Sequence, residues 1–97
     1  MQYLILDDIR KHIRIDLDEE DEILERYGEA AEQTILNACN RTFEDLIETE
    51  GKVPAPLYQA TLMLTAHLYE QRSIVSPTQM YAVPYTIDPL IKPYMIL

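Results

Sequence analysis

The sequence predicts an all-α protein, a small bundle of three to four helices around a central apolar helix, with an extended Pro/Tyr-rich C-terminal arm. Three observations carry this. Two glycines among 97 residues leave few positions for tight hairpins or phosphate-cradling loops. Apolar residues recur three and four apart over much of the first 72 positions. The stretch Leu57 to Arg72 is apolar on most sides, as a helix is when other elements surround it. A chain this short buries one modest core. Residues 1–72, the bundle, and 73–97, the arm with a short final turn, are therefore expected to form a single domain.

Each helix has its own signals. Asp7 or Asp8 can cap a first short helix, in which Ile9, His12 and Ile13 follow at helical spacing and which ends near Arg14. Ile13, Ile15 and Leu17 then alternate with polar neighbours, as in a brief extended connection. The acids from Asp18 to Glu22 load the next helix start, where the macrodipole favours them. In that second helix, Ile23, Leu24, Tyr27, Ala30, Ala31, Thr34, Ile35 and Ala38 form a predicted core stripe. Glu25, Arg26, Glu29, Glu32, Gln33 and Asn37 are placed on the wet side. Thr42 caps a third helix that Gly51 closes from the left-handed region. Pro54 and Pro56 introduce the main helix, Pro56 in the first turn, where its missing N–H is not needed.

The C-terminal quarter is unusual. From Ser73 to Leu97 it holds Pro77, Pro84, Pro89 and Pro93, three tyrosines, many aliphatic residues and only two charges, Asp88 and Lys92. Prolines oppose a long helix or a central strand, so the expected cover for this apolar segment is another protein chain. Ser73 to Thr86 reads as extended, and Ile87 to Tyr94 as a last turn interrupted by Pro89 and Pro93.

The net charge of −9 resides entirely in residues 1–72, which repels phosphate backbones and removes the usual source of DNA affinity. DNA sliding past such a surface is compatible with it. The single cysteine, Cys39, reads as an inert, half-buried thiol, and the expected compartment is cytosolic. His67 and Glu70 share a helix face, a spacing used in dimetal bundles and acid/base pairs. Such a site needs matching carboxylates from facing helices, which the pattern does not supply, so no catalytic residue, metal or cofactor is predicted. Arg10, Lys11, His12 and Arg14 read as a salt-bridging surface. The run Asp18 to Glu22 has no glycine-bearing loop to wrap calcium.

Leu6-Asp7-Asp8, Ile13-Arg14-Ile15-Asp16, Ala66-His67-Leu68-Tyr69-Glu70-Gln71-Arg72 and Leu90-Ile91-Lys92-Pro93-Tyr94, in this order and spacing, resemble the tailed-phage head-tail connector family. These are small helical adaptors, often labelled DNA-packaging proteins. The resemblance implies a structural virion protein at the head-tail junction, present in the host cytoplasm before assembly. It implies a ring of about a dozen copies, closed by heterologous contacts, beneath the portal protein, with a downstream tail or stopper protein beyond and DNA passing through without specific binding. In that picture Tyr69, Arg72, Ile74, Val75, Met80, Tyr81, Val83, Tyr85, Ile87 and Tyr94 form the subunit or portal interface. Glu25, Glu29 and Glu32 are the expected lumen-facing acids. The alternative is a small acidic interaction module, antitoxin-like or a DNA-mimic inhibitor, whose carboxylates imitate phosphates. An enzyme using His67 and Glu70 is the third reading.

Overall fold

A computed structural model describes residues 1–14, 18–71 and 87–96, with the side chain of Asp18 excepted. The described residues form helices α1 (Leu6–Ile13), α2 (Asp21–Cys39), α3 (Phe43–Glu50), α4 (Ala55–Glu70) and α5 (Asp88–Ile91). Short 3-10 turns at Asp18–Glu20 and Lys92–Tyr94 complete the order, and no strand occurs among them. The predicted connection at 15–17 and the predicted arm from Ser73 to Thr86 lie outside the described residues.

Local chemistry explains most boundaries. Thr42 caps α3 by accepting the Asp45 N–H at 3.1 Å. Gly51 ends that helix at φ 77° and donates its N–H to the Ile47 carbonyl at 2.9 Å, a conformation that costs a residue without Cβ little. Asn40 closes α2 at φ 56°, a region asparagine tolerates better than most residues. The main helix spans Ala55–Glu70, starting earlier than Leu57, with Pro56 in its first turn. The first helix differs from expectation at its start. Its cap residue is Ile5, with no side-chain cap bond, and Asp7 and Asp8 lie inside the first turn. There they favour the helix through the macrodipole.

Helix α4 is the hub, packed against α1, α2 and α5. Ala31, Ile35, Leu36, Cys39, Leu46, Leu57, Ala60 and Leu64 make the larger core cluster, joined by Ile87 and Ile91. Leu4, Ile9, Leu24 and Leu62 make a second. A further face of α4 is thus covered by the chain's own C-terminal turn. This corrects the expectation that the whole proline-rich quarter needs a foreign cover. Pro89 sits in the first turn of α5 and Pro93 in the following 3-10 turn, positions where the absent N–H breaks no helical bond. The prolines therefore start turns, and Ile87 and Ile91, four apart, land on one buried face. Each isoleucine so buried contributes about 1.5–3 kcal/mol.

Helix α2 is rolled relative to its predicted orientation. Its buried residues are Leu24, Gly28, Ala31, Glu32, Ile35, Leu36 and Cys39, while Ile23 and Ala30 are exposed. Apolar pattern placed the core one residue away from where packing puts it. The cause lies in the N-terminal segment, which crosses α2 at Gly28 and needs Glu32 turned inward.

Candidate interaction surface

Glu32 is 4 % exposed and holds residues 2–4 against the bundle. Its Oε1 accepts the Gln2 N–H at 2.8 Å, and its Oε2 accepts those of Tyr3 at 2.9 Å and Leu4 at 2.6 Å. Three backbone donors compensate a carboxylate that burial alone would penalise heavily. Gly28 makes the close approach possible. A Cβ there would lie 2.5 Å from Met1 Sδ, 3.0 Å from Ile9 Cδ1 and 3.2 Å from Leu4 Cδ2. Glu32, proposed from sequence as a lumen-facing acid, is thus an internal clasp and presents no charge to a channel. Glu25 and Glu29 are exposed.

Three tyrosine hydroxyls fasten the N-terminal third to α4. Tyr3 Oη and Thr61 Oγ1 are 2.6 Å apart. Tyr58 donates to Asp8 Oδ2 and accepts the Ile5 N–H at 3.3 Å. Tyr69 donates to Glu20 Oε2, bringing the end of α4 beside the start of α2. Burial, with the hydrogen bond to Asp8, pushes the Tyr58 phenol up to about 12. Burial raises Tyr3 further still. Tyr3 also stacks on Phe43, ring centroids 6.2 Å apart.

The C-terminal turn has its own fastening. Arg41, its side chain almost fully buried, pairs with Asp45 at 2.7 Å and bonds Thr49 Oγ1. It also donates to the Tyr94 carbonyl at 3.4 Å. The Ile96 N–H donates to the Cys39 carbonyl at 2.9 Å. Cys39 itself is fully buried, deeper than predicted, and burial pushes its thiol up, with Arg41 opposing.

The predicted interface residues divide. Arg72, Ile74, Val75, Met80, Tyr81, Val83 and Tyr85 lie outside the described residues. Ile87 is a core residue of its own bundle with no exposed surface, so it is corrected from interface anchor to internal anchor. Tyr69 and Tyr94 are half-buried, packed at the edges of the two clusters. Arg10, from the basic cluster, forks onto Asp21, with Nε 2.8 Å from Oδ1. Lys11 pairs with Asp7 at 3.1 Å. His67 is half-buried and Glu70 exposed. Among the described residues, no three His, Cys, Asp or Glu side chains converge to hold a metal, and no helix is long and apolar enough to cross a membrane.

Sequence reasoning missed Gly28, Arg41 and the clasp role of Glu32. A glycine inside a long helical pattern was the available signal for close approach. Nothing in the sequence announces that a glutamate will take backbone N–H groups from nearly thirty residues away.

Among the described residues, Ile5, Ile23, Ile47 and Ile96 are large hydrophobic side chains left exposed. The family model for the phage gp6-like head-tail connector protein matches residues 3–95, and the chain belongs to this family. Its class is structural, joining the phage head to the tail. Neither a curated protein nor a solved structure matches the chain.

Proposed function

We propose that this chain acts as a ring-forming connector at the virion head-tail junction, with about a dozen copies closing through heterologous contacts. One rim of the ring meets the portal protein and the other a tail or stopper protein. The observation that carries this reading is the family match over residues 3–95. The low charge of residues 72–86, one arginine among aliphatic, tyrosine and small polar side chains, supports their use as an adhesive. Arg72, Ile74, Val75, Met80, Tyr81, Val83 and Tyr85 supply the contact to a neighbour, flanked by Tyr69 and Tyr94. Because Gln71 and Ile87 both belong to the bundle, the contact is made by a segment tethered at both ends. Exposed Glu25 and Glu29 line the DNA path, where like charge keeps the duplex from adhering.

Light scattering over a concentration series, alone and with portal protein, tests this. A species of roughly twelve chain masses is the expected result. A chain that stays monomeric even beside the portal rejects the ring.

A further inference from the structure

The roll of α2 leaves an apolar strip of the helix only partly covered, with Tyr27 and Thr34 half-buried. Ile23, Tyr27, Ala30 and Thr34 follow one another at helical spacing beside the buried face, with no charged residue among them. Ile23 keeps 38 % of its surface exposed, and Ala30 is exposed in the middle of the strip. The sequence pattern marks these positions as core, yet Gly28 and Glu32 occupy the inward side in their place. A helix that carries a second apolar face after satisfying its own core is suited to receive a partner.

We infer that this strip of α2 is the docking surface for residues 72–86 of a neighbouring copy. The inference rests on the ring reading above and specifies where on the neighbour the contact is made. Length points to this occupant. Extended, residues 72–86 reach about 50 Å, whereas Ile87 packs back in the cluster that includes Leu64 of α4, the helix that ends just before the segment. Because α5 packs directly on α4, bridging from one to the other needs less than that full reach. Composition points the same way, since an uncharged strip is matched by a segment whose only charge is Arg72 at its root. The tyrosines at 81 and 85 add aromatic surface of the kind that dominates protein contacts. A heterologous contact of this form, segment on one copy and helix on the next, repeats until the ring closes.

Ala30→Arg tests the site, because arginine is a good helix former and position 30 is exposed, so the fold is kept. Circular dichroism melting should match the wild type, while the assembled species disappears at concentrations where the wild type is fully assembled. In parallel, chains carrying Ala30→Cys are mixed with chains carrying Met80→Cys, Tyr81→Cys or Val83→Cys and oxidised mildly. Buried Cys39 serves as an unreactive background. A disulfide joining position 30 of one copy to the segment of another is expected by mass spectrometry. Full assembly of the Ala30→Arg chain overturns the inference and leaves the ring reading intact. So does the absence of any link between copies, or a link formed only within one chain when both cysteines are placed together. A wild-type chain that never assembles, with or without portal protein, removes both readings.

Discussion

The two ends of the chain are fastened to the same bundle with a different balance of polar and apolar contacts. Residues 2–4 have all three backbone N–H groups taken by the buried carboxylate of Glu32, beside the apolar contacts of Tyr3 and Leu4. Residues 87–96 are held by side chains, with Ile87 and Ile91 in the core and Arg41 and the Ile96 N–H adding polar ties. The first includes a buried carboxylate whose hydrogen-bond geometry matters, while the second depends mainly on apolar volume. They should therefore fail under different perturbations. A charge-assisted clasp is lost when its acceptor is altered, while an apolar anchor is lost when it is made smaller.

The largest effect is expected at the apolar end. Ile91→Ala leaves a cavity in the larger core cluster, and should cost about 3–4 kcal/mol in urea unfolding. Hydrogen exchange should then quicken at the Ile96 amide while Gln2 to Leu4 stay protected. Equal quickening at both ends would mean the two fastenings are one cooperative unit. Next comes Glu32→Gln, which keeps the shape but removes the charge and turns a donor toward donors. The expected loss is about 2–3 kcal/mol, with protection lost at Gln2, Tyr3 and Leu4 and kept at Ile96. An unchanged midpoint would reject the clasp.

A smaller effect is expected for Gly28→Ala. The added methyl meets Met1, Ile9 and Leu4, whereas alanine favours the helix by about 1 kcal/mol. Met1 and the leucine tip can shift, so a net cost of about 1 kcal/mol is expected, confined to the N-terminal end. Stabilisation instead would show that the segment does not rest on α2.

The mildest test is alkaline pH. Tyr58, which receives the Ile5 N–H, has its phenol raised from 10 to about 12 in the folded chain. A raised folded value means that the stability it contributes is complete below pH 10 and is lost as pH climbs through 12. Stability should therefore begin to fall above pH 10. Tyr58→Phe should flatten part of that slope, and exchange at Ile5 should respond before exchange at Ile96. A slope identical in both proteins would remove Tyr58 as its source.

This comparison also shows why one part of the fold was legible and another was not. The α3 boundaries were readable because Thr42 and Gly51 act on atoms three or four residues away. The apolar character of α4 announced a surrounded helix, and the final turn at Ile87 to Tyr94 was visible in its spacing. The identity of what surrounds α4 was not. Proline suggested that the C-terminal quarter could not return to its own bundle, yet at the first turn of a helix the missing N–H costs nothing, and Ile87 and Ile91 did return. The family could be recognised from the order of short motifs.

By itself the sequence determined the helical class, most of the helix ends and the concentration of negative charge in the first three quarters, since these follow from local spacing, caps and composition. Only the tertiary structure decided which side of α2 faces inward. Periodicity fixes a helix's apolar arc to within about one residue, and between two such rotations the choice went to the one that seats Gly28 under the N-terminal segment and lets Glu32 collect its three N–H groups. The same choice turned Ile23 and Ala30 outward.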